Sequence, residues 1–202
     1  MAITFASPPA DGMSTLTKGL QHIWSAQQLD PKGGTAPLAV PPTASAMKPH
    51  PVYELGLHDL AAGKGLETAR LTAWRYLLVS NNQVGQAAEI LPGSPTGGSQ
   101  FGALTTGFTG GAEAAFQLVD QLPIVQQRTY EIRALRVPAL YVMALWLKDQ
   151  QGQEDRFIVM PPAFPPVQPL HPYATADLLA LLHKLAAQKA PLEQQVVPGR
   201  KP

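Results

Sequence analysis

The amino-acid sequence predicts an α+β fold: a single antiparallel β-sheet with two or three helices packed on one side. Three features lead there. Several segments are rich in strand-favouring residues, and fewer carry a helical stripe of apolar positions. The connections between successive strand segments are also too short for parallel crossovers.

In chain order, Leu16, Leu20, Ile23 and Trp24 stand at i, i+4, i+7 and i+8, which makes one apolar face on a short amphipathic helix. From Pro31 to Pro51 the chain carries six prolines among small residues. Proline fixes φ and donates no backbone hydrogen bond, so this stretch favours extended geometry over helix or sheet. Residues 1–51 are therefore expected to form a proline-rich arm or linker that the fold does not need. A globular domain is expected over 52–189, long enough for its own core, with a flexible tail over 190–202.

Within that domain Val52–Leu57 and Ala73–Ser80 read as strands. The second is ambiguous, because Leu66, Ala69, Ala73, Leu77 and Leu78 also form a helical stripe. Asn81-Asn82 suits a turn into a strand at Ala87–Leu91, and Phe101–Thr106 reads as another short strand. A helix is expected after Thr109-Gly110-Gly111, with Ala112, Ala115, Phe116, Val119 and Leu122 on one face and Pro123 as its stop.

Tyr130–Val137 alternates, with Tyr130, Ile132 and Ala134 against Glu131 and Arg133, as a half-buried strand does. Ala139–Lys148 is apolar on both faces and is expected in mid-sheet, covered on both sides. A polar turn leads to Arg156–Met160, which should pair antiparallel with it. Thr175 can cap a final helix that carries Leu178, Leu181, Leu182 and Leu185 on one face.

Composition narrows the function classes. Of 202 residues, 14% are charged and 45% hydrophobic, and fifteen basic against fourteen acidic side chains leave a net charge of +1. That balance lacks the basic footprint of a nucleic-acid binder, so no nucleic-acid partner is expected. With no cysteine, thiolate metal sites and cysteine nucleophiles are excluded. The N-terminal segment lacks the charged and apolar regions of a secretory signal, and no apolar run reaches about 18 residues. The expectation is a soluble, cytoplasmic protein with no membrane partner.

Few residues stand in a pattern that carries chemistry. The five histidines have no helical metal spacing, and no metal or cofactor is expected. His58-Asp59 is an adjacent imidazole–carboxylate pair, but a solvated turn accounts for it. Gly93–Ser99 does not fit the G-x-S-x-G nucleophile frame. Gly107–Gly111 precedes a helix but lacks the lysine of a phosphate loop. Arg75 and Glu89 lie in two apolar strands that could form a hairpin. With Tyr76 they are the candidates for a pocket floored by the sheet.

A second proline cluster between Pro161 and Pro172 surrounds Phe164. Its Pro-x-x-Pro spacings suit polyproline-II recognition, and a rigid connector loses little entropy on docking. The leading reading is a non-catalytic interaction or accessory module with another protein as partner, contacted through Trp24, Phe164, Pro165 and Pro166. The alternatives are an enzyme of hydrolase or isomerase type, or a small-ligand carrier, each using the Arg75–Glu89 pocket.

Overall fold

Nine strands join one sheet in the computed structural model, which describes residues 2–29, 45–80, 83–94 and 97–195. The chain order is β1 (Ala2–Phe5), α1 (Gly12–Leu29), β2 (Ser45–Glu54), α2 (Leu57–Ala61), β3 (Arg70–Ser80), β4 (Gln83–Leu91), β5 (Gln100–Thr105) and α3 (Thr109–Gln121). It continues with α4 (Pro123–Gln127), β6 (Thr129–Val137), β7 (Val142–Asp149), β8 (Arg156–Val159), β9 (Pro172–Ala174) and α5 (Thr175–Gln195).

Across the sheet the order is β5-β4-β3-β2-β6-β7-β8-β9. Pairing is antiparallel except along one edge of β6. There β1 runs parallel to its first half and β2 parallel to its second half. The fold is thus mixed α and β, with one large, mostly antiparallel sheet and five helices among the described residues.

Helices cover both faces, which corrects the expectation of helices on one side. Val52, Ala73, Ala134, Leu145 and Ile158 face α3, where they meet Ala112, Ala115, Phe116 and Val119. On the opposite face Leu16 and Leu20 of α1 cover Trp74, Tyr76, Leu78 and Ile90. Beside them Leu178, Leu182 and Ala186 of α5 and Leu57 and Leu60 of α2 cover Leu135, Val137, Trp146 and Phe157. The physical reason is the apolar character of β7 on both sides. A strand of that kind is stable only with a layer on each face, and helices on one side cannot provide it.

The expected start of the domain at Val52 falls inside β2, and the first residues of the chain belong to the sheet and its cover. Pro49 and Pro51 do not prevent this. Residues 45–51 of β2 pair with β3 alone, and β6 joins β2 only from Val52 onward. A proline is tolerated where one side of a strand is unpaired. The proline-rich run over 31–44 lies outside the described residues, as do the Asn81-Asn82 turn and residues 196–202. The tail expected from Ala190 begins as helix: Ala190 is buried, and α5 passes through Pro191 to Gln195.

β2 contains a bulge. Met47 pairs with Leu77 and His50 with Arg75, so two residues of β2 face one of β3. Lys48, inside the bulge, has φ +50°.

Candidate functional site

Two places hold most of the residues that the sequence points to. The first is on the α3 face of the sheet, where β3 and β4 form the expected hairpin and set Arg75 opposite Glu89. An Arg75 Nη1–H donates to Glu89 Oε1 at 2.9 Å, and Nη2–H donates to the Gly107 carbonyl at 2.7 Å. From β6, Arg136 Nη1–H donates to both Glu89 oxygens, at 2.9 and 3.2 Å, and its Nε lies 3.3 Å from Glu54 Oε2. Two guanidinium groups and two carboxylates thus share one cluster.

The Arg75 side chain is 3% exposed and that of Glu89 is 9% exposed, so the pair is sealed from solvent. Burial pulls the Arg75 guanidinium below its usual range, and Glu89 opposes that shift. A buried ion pair contributes little net stability, yet removal of one partner is costly because the other charge is left unpaired. The arrangement ties β3, β4 and β6 together, with Arg136 and Glu54 partly exposed at its edge.

Tyr76 stands on the opposite face, beneath α1, so the structure does not bring together the three residues expected to form a pocket. Its buried hydroxyl has no hydrogen-bond partner among the described residues, and burial raises its pKa. Arg136 was missed from the sequence because its strand pairs with β2, two strands away from β4. His58 is exposed on α2, while the Asp59 carboxylate accepts from Lys64 Nζ at 2.9 Å. In the turn before α3 two carbonyls are taken up internally: Thr109 Oγ1–H donates to the Thr106 carbonyl at 2.8 Å and Arg75 to the Gly107 carbonyl, while no side chain caps the helix.

The second place is the loop after β8. Residues 161–171 fold as successive bends and turns, which corrects the expectation of an extended polyproline-II segment. The Val167 amide donates to the Phe164 carbonyl, and the Leu170 amide reaches back to the Val159 carbonyl at 2.8 Å. Val167 is buried and anchors the loop in the α5 core. Phe164 points outward and is 60% exposed; Pro165 and Pro166 beside it are exposed too.

The Phe164 ring leans on Tyr141, centroid to centroid 5.9 Å, and Tyr141 in turn meets Phe108 at 5.6 Å. Tyr141 has φ +55° and is 55% exposed, because Pro138–Leu140 forms a 3-10 turn that swings it out before β7 starts. Sequence reading placed Tyr141 in a buried strand, and only the proline before it hinted otherwise. Beside these rings lies a groove of about 490 Å³, floored by Leu140, Val142 and Leu185 and rimmed by Lys189.

Comparison with protein-family models, with curated proteins and with solved structures finds no match to this chain. Trp24 is half-buried on α1, away from the residues that line the groove. Among the described residues no three of His, Asp or Glu converge as metal ligands, and no helix is long and apolar enough to cross a membrane.

Proposed function

We propose that this protein is an interaction module that binds another protein through the groove beside Phe164. The observation that carries the reading is the outward Phe164, held by the buried Val167 and leaning at a tilt on a similarly exposed Tyr141. An aromatic side chain has few rotors to immobilise, and here its neighbours already restrict it, so docking costs little conformational entropy. Aromatic anchors beside an apolar groove are also the usual centres of binding energy at interfaces. The Arg75–Glu89 pair, by contrast, is sealed and joined to β6 through Arg136, an arrangement that favours strand order over the enzyme and carrier alternatives.

The test is Phe164→Ala in the full chain, compared with the wild type by melting and by co-purification from the host. The melting temperature is expected to stay within about a degree, since an exposed ring adds little to the core. A partner retained by the wild type should bind about thirtyfold more weakly, the equivalent of about 2 kcal/mol. A fall of several degrees in melting temperature with unchanged binding per folded molecule would make Phe164 a packing residue and end the proposal.

A further inference from the structure

A cleft of about 340 Å³ opens between α3 and the sheet, and it shares no lining residue with the groove beside Phe164. Its apolar wall is Met47, Leu77, Val79 and Val84, with the Phe116 ring across from them. The β2 bulge builds it. In a regular strand Lys48 would face away from Met47, but the extra residue re-aims it. Its ammonium comes to lie 4.1 Å from the centre of the Phe116 ring. The protein thus already holds one organic cation on this ring.

The remaining polar groups are mostly acceptors. Glu113, Gln117 and Asp120 stand at i, i+4 and i+7 of α3 and line the cleft from the helix side. Among the described residues neither carboxylate is in an ion pair, and the sequence has no lysine or arginine between Tyr76 and Gln127. His50, fully buried, meets the same Phe116 ring edge-on at 6.1 Å. Its Nδ1–H donates to the Lys48 carbonyl, which leaves Nε2 an acceptor with no partner among the described residues. The lining carries two carboxylates against one ammonium, and that ammonium is engaged on Phe116. A volume above about 300 Å³ is within the range of small-ligand sites.

We propose that this cleft binds a small primary amine with an apolar body: its ammonium group pairs with Glu113 and Asp120, and its hydrocarbon lies on Leu77, Val79 and Val84. Lys48 is then the charge that opposes binding, which separates this site from one for a carboxylate amphiphile, where Lys48 would be the essential partner.

The test titrates the full chain, 15N-labelled, with hexylamine, hexan-1-ol and hexanoate, and follows amide shifts along α3 and β2. Hexylamine should bind severalfold more tightly than either control, since only it gains the pairing with the half-buried Glu113 and the exposed Asp120. Glu113→Gln with Asp120→Asn should remove that advantage. Lys48→Asn, a residue that tolerates positive φ, should tighten hexylamine binding severalfold. Spectra of each variant report whether it is folded. Hexanoate binding that is lost in Lys48→Asn would overturn the proposal. So would equal binding of hexan-1-ol, shifts confined to residues around Phe164, or wild-type affinity in the double carboxamide variant.

Discussion

His50 shows how one buried side chain couples the fold to pH. It sits opposite Arg75 in the sheet, beside the bulge that presents Lys48. Burial chiefly, with Arg75 and Lys48, lowers its pKa from 6.5 to about 4, against the opposing hydrogen bond to the Lys48 carbonyl and the charge of Glu89. Between those two values the unfolded chain binds more protons than the folded one. Stability therefore rises with pH across the window and falls as pH drops through it. The full span is worth about 3 kcal/mol. Denaturant midpoints measured at pH 7 and pH 4.5 should differ accordingly, and His50→Asn should flatten that difference. An unchanged slope in the variant would assign the effect to another group. Asp11, Asp59, Glu67 and Asp149 have pKa values lowered by hydrogen bonds, so their contributions fall away from the acidic end of that window downward, as pH drops through their ordinary values of 3.8 to 4.5.

At the scale of elements, β7 is the strand on which the sheet depends most. Leu145 lies opposite Ala134 of β6 and Ile158 of β8 and is fully buried. Leu145→Asp would place an unpaired charge there at a cost of several kcal/mol, a large share of the ~5–15 kcal/mol that stabilises a domain. No cooperative thermal transition is expected from that variant; a midpoint within a few degrees of the wild type would contradict the placement. β3 was harder to read, since its residues also fit a helical stripe. Its six central residues, Ala73 to Leu78, are buried on both faces, so the polarity alternation that would mark a strand is absent. The hairpin with β4 resolves it, because only an extended β3 sets Arg75 against Glu89.

For the whole molecule, the N-terminal residues decide whether the sheet has a complete cover. β1 completes the edge of β6 that β2 leaves unpaired, and Leu16 and Leu20 seal the layer over Trp74, Tyr76, Leu78 and Ile90. Burial of each of those leucines is worth about 2 kcal/mol, before the newly exposed aromatic surface is counted. A chain that begins at Val52 also loses the first seven residues of β2. It is expected to be insoluble or to melt without cooperativity. A soluble fragment with a sharp transition would show that β1 and α1 are additions to a self-sufficient sheet.

The sequence by itself determined the elements whose signal is local. The alternation of β6, the doubly apolar β7, the short polar turn into β8 and the stripes of α3 and α5 each follow from side-chain period and turn chemistry within a few residues. The facing of Arg75 and Glu89 stayed open in the sequence, where β3 also fits a helical stripe, and the hairpin with β4 decided it. The tertiary structure alone decided the rest. β1 meets β6 across most of the chain, and Arg136 reaches Glu89 over two intervening strands. The β2 bulge turns Lys48 toward Phe116, and Phe164 faces water because Val167 fills the core position beside it. These outcomes depend on hydrogen-bond register and on competition for buried volume between segments far apart in sequence, and neither leaves a periodic trace in the residues concerned.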